Sequence, residues 1–192
     1  MRQMEEKIRR EGTVLPGGVL QVGGFLNQRI DVGFLREIGK EIARLYAGCG
    51  VNKVLTVESS GIAIATAAAL ELDVPLVFAK KHKTSNVDGQ VWSAPVHSFT
   101  HNLDYDMVVS RDYLTDADTV LLVDDFLANG AALQGLKALT EQAGAKLAGA
   151  AVAIEKRFQG GGDALRGQGV RVEALAMIED MSGGAIRFAG EI

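Results

Sequence analysis

Two adjacent carboxylates, Asp124 and Asp125, stand directly behind an apolar run at 119–123, and a turn of small residues follows almost at once: Ala128, Asn129, Gly130, Ala131 and Ala132. Carboxylates accept hydrogen bonds from hydroxyls and attract positive charge. A small-residue turn that opens a helix leaves backbone N–H groups free to hold an anion. A diol beside a phosphate satisfies both. The run at 119–123 shows no polar alternation, so it predicts a strand buried on both faces, and the helical pattern over 130–143 completes a strand-turn-helix unit. In an open α/β sheet, ligands lie beyond the carboxyl ends of the strands, where this turn stands.

Three other readings of an apolar strand ending in two acids compete. A Walker B acid requires a G-x-x-x-x-G-K-[ST] loop, and the sequence contains none. A receiver domain's acid pair calls for roughly a full domain after it, and only a short tail remains. The plainest alternative is that the acids merely cap the helix and solvate a strand end. Phosphoribosyl binding accounts for the acids and the turn together.

The same design recurs earlier. An apolar strand at 51–57 leads through Glu58 into Ser59, Ser60 and Gly61, and an Ala-rich helical pattern runs on to 72. Hydroxyls and bare N–H groups at such a turn suit an anion, although Ser-Ser-Gly alone equally suits a helix cap. Beside the first loop, it implies a ligand with phosphates at both ends and hydroxyls between, the shape of phosphoribosyl diphosphate (PRPP). The strand at 76–79 ends in a basic run, Lys80, Lys81, His82 and Lys83, on the same sheet edge. Such a run is ordinarily a solvated face, but here it can neutralise diphosphate, from its own or a neighbouring subunit. Lys156 stands just past the strand predicted at 147–154 and Phe158 close behind it.

Val-Asp-Asp-Phe-Leu-Ala-Asn-Gly-Ala-Ala, residues 123–132, resembles the PRPP motif of the type I phosphoribosyltransferases. Its Phe-Leu-Ala-Asn-Gly form is similar to that of the xanthine phosphoribosyltransferases. The resemblance extends over most of the chain from Val19 to Phe158. It implies transfer of a phosphoribosyl group from PRPP to xanthine, giving xanthosine 5′-phosphate and diphosphate. Ala128, Asn129, Gly130, Ala131 and Ala132 would hold the 5-phosphate, Asp124 and Asp125 the ribose hydroxyls, and Ser59, Ser60, Gly61 and Lys81 the diphosphate. Leu20 and Asn27 fall where relatives touch the purine, Lys156 where they bond its 6-oxo group, and Phe158 where an aromatic packs on the ring. A lysine donor favours an oxo base over adenine. Mg²⁺ would arrive with PRPP, held more by ribose and diphosphate oxygens than by protein, and the assembly would be a homodimer. The loop departs from many relatives in lacking Thr or Ser hydroxyls, which leaves the phosphate to the amides. No side chain is assigned as general base. The rivals are the same chemistry on adenine, guanine or hypoxanthine, and a non-catalytic PRPP sensor. Sensors of this fold carry an extra winged-helix domain of about 70 residues, whereas some 50 residues precede the first core strand here.

The elements that must position these groups form one α/β domain over 1–192, a doubly wound, mostly parallel sheet of the type I phosphoribosyltransferase fold. Residues 1–11 predict an amphipathic helix and 1–30 as a whole an N-terminal lid, which the resemblance implies recognises the base. Asp31 is a natural N-cap for a helix at 32–47, with an apolar stripe of Phe34, Leu35, Ile38, Ile42 and Leu45. Residues 84–95 read as loop. Short strands at 96–100 and 107–111 predict a β-ribbon rising off the sheet, and the resemblance implies that it acts as a flexible hood that keeps water from a developing ribosyl cation. His82, His97 and His101 show no metal-ligand spacing and read as exposed loop residues. A helix at 163–166 and a strand at 170–177 follow, and the tail from 179 carries no readable chemistry.

Composition sets the outer bounds. The 192 residues are 47% hydrophobic with a formal net charge of −4, so no general basic surface points to nucleic acid. No apolar run is long enough to span a membrane. The charged N-terminus does not read as a signal peptide, and the lone Cys49 excludes an intramolecular disulfide, so a cytoplasmic enzyme is expected.

Overall fold

The structure, a computed structural model, describes residues 1–81, 90–98 and 103–191. His82, Lys83, His101 and residues 84–89 of the loop predicted at 84–95 therefore lie outside the described residues. In chain order the elements are α1 (Arg2–Glu11), β1 (Thr13–Leu15), β2 (Val19–Gln21), a π-helical turn (Gly23–Asn27), α2 (Val32–Leu45), β3 (Lys53–Val57), α3 (Gly61–Leu72), β4 (Leu76–Ala79), β5 (Val91–Ser98) and β6 (Leu103–Ser110). There follow β7 (Thr119–Leu127), α4 (Ala131–Gln142), β8 (Lys146–Lys156), a 3₁₀ turn (Arg157–Gln159), α5 (Gly161–Gly167), β9 (Val172–Asp180), a 3₁₀ turn (Ser182–Gly184) and β10 (Arg187–Phe188).

The six-stranded sheet has the order β10-β9-β8-β7-β3-β4. Four of its five pairings run parallel, and β10 joins β9 antiparallel. The winding reverses between β3 and β7, so the turns after these two strands open side by side at the topological switch point. Strand periodicity explains how one run feeds both faces. Leu121 and Val123 of β7 pack with Ile38, Ile42, Ile64 and Ala68 of α2 and α3, while Val120 and Leu122 pack with Leu133, Leu136 and Leu139 of α4. A strand covered on both sides needs no polar alternation, and that is why 119–123 shows none.

Asp31 caps α2 as expected, accepting from Phe34 N at 3.1 Å, and its other oxygen receives Lys7 Nζ of α1 at 2.7 Å. That ion pair pins the N-terminal helix beside the small antiparallel hairpin of β1 and β2, which stands apart from the main sheet. On the other side, β5 and β6 form a second antiparallel ribbon, tied to the sheet where Lys80 and Val108 exchange backbone hydrogen bonds of 2.9 and 2.8 Å.

Several boundaries differ from expectation, and four of them have a local physical reason. β7 runs on to Leu127, so the two acids belong to the strand itself; the long partner β8 keeps pairing as far as Leu127↔Glu155 and satisfies the extra backbone groups. β3 begins at Lys53, because Asn52 instead turns its side-chain carbonyl to Thr119 N at 2.7 Å. β5 begins at Val91, five residues earlier than the pattern suggested, since the Val91↔Ser110 register pairs the full ribbon and Trp92 Nε1 donates to Leu114 O at 2.9 Å. The tail carries β10, whose Phe188 is fully buried and closes the sheet edge.

Candidate active site

The turns after β3 and β7 meet around a cavity of about 260 Å³. Its walls include Ser59, Ser60 and Gly61 from the first turn, Asp124 and Asp125 from β7, and all of Ala128 to Ala132 from the second turn. Lys81 closes one end, and Val96, His97 and Tyr105 lean in from the ribbon. The sequence-predicted PRPP residues are thus brought to one place.

Close packing at the switch point depends on glycine. A Cβ on Gly61 would collide with Thr56 Oγ1 and stand 2.7 Å from Asp124 Oδ1, so only glycine lets the start of α3 approach the acid. The preceding Glu58–Ser59 peptide is cis. In the second turn, Gly130 takes a left-handed φ of 87°, which a glycine adopts without a Cβ clash, and α4 starts at the next residue. Asn129 Oδ1 accepts from Ala131 N at 3.2 Å, so its carbonyl shapes the turn from within.

The two acids sit in different surroundings. Asp124 is buried and accepts from Asp125 N at 2.9 Å. Burial, and next the neighbouring charge of Asp125, hold the Asp124 carboxyl well above the ordinary carboxylate range. Asp125 Oδ2 accepts from Asn27 Nδ2 at 3.2 Å, so the N-terminal segment reaches the acid pair directly. Tyr105 is raised as well, chiefly by burial and then by the Asp124 charge.

The remaining predicted residues divide. Lys156 Nζ donates to Gly18 O of the N-terminal hairpin at 2.9 Å and lies 5.5 Å from the Phe126 ring centre; burial lowers its ammonium below the usual lysine range. Leu20 is buried in the core beneath the hairpin with Val22 and Phe25. Phe158 is 46% exposed and lines a separate cavity of about 510 Å³ with Gly17, Gly18 and the 181–184 turn. Leu20, Lys156 and Phe158 are therefore gathered around the hairpin, outside the acid-and-loop cavity.

Sequence reasoning passed over three cavity residues. Glu58 Oε1 accepts from Lys81 N at 2.8 Å and so holds the start of the basic run in place. Tyr105 and His97 reach the cavity from the ribbon, and His97, expected in a loop, lies in β5 with its Nδ1 2.6 Å from Asp104 Oδ1. The ribbon's register sets Tyr105 opposite Val96 and His97 opposite Asp104, and so brings the aromatic and the histidine to the same cavity, which no local motif announces.

Among the described residues, no group of three or more His, Cys, Asp or Glu side chains could hold a metal. Asp124 and Asp125 supply hard oxygen donors on one wall only, a set suited to a cation that brings most of its oxygens with a ligand. The cavity as a whole offers amides for a phosphate, carboxylates for a diol and a lysine for a further anion.

Comparison with known proteins agrees with this geometry. Residues 34–163 match the phosphoribosyl transferase domain. A xanthine phosphoribosyltransferase of Moorella thermoacetica is 50% identical over 96% of this chain and 94% of its own. One of Heliobacterium modesticaldum is 49% identical over 98% of this chain and 100% of its own. In three dimensions, adenine phosphoribosyltransferase from Rhodothermus marinus superposes with a TM-score of 0.74 and 21% identity, covering 93% of this chain and all of that one, which speaks for the fold alone. Two strand-end turns meeting at the switch point, an acid pair between them and near full-length likeness to these relatives place the chain in the phosphoribosyltransferase family, in the group of the xanthine phosphoribosyltransferases.

Proposed function

We propose that the protein transfers the 5-phosphoribosyl group of PRPP to xanthine, forming xanthosine 5′-phosphate and diphosphate. The observation that carries this reading is the contact between Asn27, from the segment that resembles a base-reading lid, and Asp125, from the ribose-binding strand end. Likeness to the xanthine phosphoribosyltransferases supports the choice of base.

In this reading the amides of the Ala128–Ala132 turn bind the 5-phosphate, and Asp124 and Asp125 accept from the ribose 2′- and 3′-hydroxyls. Ser59, Ser60, Gly61 and Lys81 take the diphosphate. A base nitrogen bonds to the anomeric carbon as that carbon's bond to the diphosphate oxygen breaks; the bonding electrons leave with diphosphate, whose oxygens accept the proton that the purine ring gives up. Positive charge develops on the ribose ring at that moment, and two carboxylates on its hydroxyl side stabilise it without moving. The rest of the rate comes from holding base and ribose in line. The ribbon carrying Tyr105 and His97 acts as a hood that keeps water from the same carbon. Mg²⁺ bound with PRPP would neutralise charge on the leaving diphosphate, and Asp124 and Asp125 would be the side chains available to it as hard oxygen donors. Lys156 donates to the purine 6-oxo group, giving up its bond to Gly18 O, while Asn27 and Leu20 border the base and Phe158 packs on it. The same reading makes residues 1–30 a lid on a single domain, and the working form a cytoplasmic homodimer. Among the described residues no helix is long and apolar enough to cross a membrane.

Diphosphate release with PRPP, Mg²⁺ and one purine at a time tests the proposal. Release with xanthine well above hypoxanthine, guanine and adenine is expected. Faster release with another purine replaces the base and keeps the mechanism, whereas PRPP binding with no release on any purine makes the protein a sensor.

A further inference from the structure

Glu155 is the residue before Lys156 on β8, and none of it reaches solvent. Its Oε1 and Oε2 accept from Arg166 Nη1 and Nη2 of α5 at 2.8 and 2.7 Å, a two-pronged bond, and Nη2 also reaches Val172 O at 3.4 Å. A buried ion pair is weak evidence for stability, because desolvation offsets most of its attraction. Its planar, forked geometry is instead suited to fixing one arrangement of the elements it joins.

The element it fixes is the start of α5. A Cβ on Gly162 would collide with Glu155 Oε1 and stand 2.7 Å from Arg166 Nη1, so the helix backbone rests directly on the pair. One residue earlier, Gly161 N donates to Ala128 O at 3.1 Å. A Cβ on Gly161 would collide with Ala128 O, Asn129 C and Gly130 N, and one on Gly130 would stand 3.2 Å from Gly161 Cα. The glycine pair is therefore held between the ion pair on one side and the backbone of the 128–130 turn on the other. No side chain cushions the contact between Gly161 and the turn, so a shift of α5 presses directly on that turn.

We propose that Glu155 and Arg166 are positioning residues for the phosphate-binding turn, acting through Gly161 and Gly162. The pair sets where the Ala128–Gly130 amides point, although neither side chain lines the cavity. This rests on the reading of residues 128–132 as the 5-phosphate cradle.

The test uses the full chain and two readouts: calorimetric binding of PRPP and of ribose 5-phosphate, and steady-state kinetics with each substrate varied. Glu155→Gln is expected to raise KM for PRPP and weaken ribose 5-phosphate about tenfold, a coupling of ordinary size for packed neighbours, while KM for xanthine stays within about twofold. Gly161→Ala should give the same selective loss from the other side of the sandwich. The double variant should be little worse than the worse single, since both act on one turn. Arg166→Lys, which keeps the charge, should bind PRPP better than Arg166→Met. Unchanged PRPP and ribose 5-phosphate affinity in folded Glu155→Gln, or losses that simply add in the double variant, overturns the proposal. If Glu155→Gln does not fold, Gly161→Ala together with Arg166→Lys is read by the same thresholds. Wild-type protein that binds neither PRPP nor ribose 5-phosphate would instead overturn the cradle itself.

Discussion

Asn27 Nδ2 and Asp125 Oδ2 are hydrogen-bonded at 3.2 Å across 98 residues of sequence. One group belongs to the N-terminal turn and the other to the sheet's acid pair, so the two proposed substrate subsites share a boundary. A ribose hydroxyl that bonds Asp125 Oδ2 competes for the position Asn27 now occupies, and the released amide then faces the base.

Asn27→Ala removes the amide and leaves the carboxylate accessible. PRPP affinity without base should therefore hold or improve, while KM for xanthine rises about tenfold, the worth of one hydrogen bond between polar groups. Steady-state kinetics with each substrate varied separate the two. A loss confined to PRPP would place Asn27 on the wrong ligand.

Asp125→Ala should lower kcat on every purine by about a hundredfold, as loss of one preorganised electrostatic group commonly does. The effect should be independent of the base because the role proposed for the carboxylate is on the ribose. Comparison of kcat across four purines checks this, and full turnover would remove the role.

Asp124 makes a prediction about pH. Burial and the Asp125 charge raise its carboxyl in the folded state, so the folded protein binds that proton more tightly than the unfolded chain does. Its contribution to stability is complete below the ordinary value of 3.8 and is lost as pH rises through the raised value. Asp124→Asn, which needs no ionisation, should melt higher than wild type at neutral pH, by roughly 2–4 °C for each kcal/mol gained, and the gap should close at acid pH. Turnover should fall in the same variant. Melting scans across pH would expose an opposite trend.

Lys156→Ala should weaken xanthine by about tenfold and leave PRPP binding intact, because the lysine stands at the hairpin and not in the acid-and-loop cavity. It also frees Gly18 O, so hydrogen exchange at the 17–20 backbone should speed up. Loss of PRPP binding alone would contradict the assignment.

Tyr46 supplies a control away from the site. Its hydroxyl donates to Ala150 O at 2.8 Å from a buried position, and burial raises the phenol above its ordinary value. Tyr46→Phe should lower stability by about 1 kcal/mol with kcat and both KM values unchanged. Altered kinetics would show that the β8 backbone transmits strain to the site.

The apolar run at 119–123, the capping Asp31 and the Ser59–Gly61 and Ala128–Ala132 turns declare themselves locally, because buried strands, helix caps and anion-binding turns each have a short-range chemical signature. From those residues alone the α/β class, the acid pair and the turn that lines the cavity beside it could be read. The sequence could not place Asn27 against Asp125, Lys156 against Gly18 or Tyr105 over the cavity, since each contact joins segments whose approach is decided by packing. It also could not show that β7 continues through the acids to Leu127, which the pairing with β8 decides. Gly161 and Gly162 display no chemistry in the sequence, yet in the structure they let backbones touch, because a missing Cβ has meaning only once its neighbours are in place.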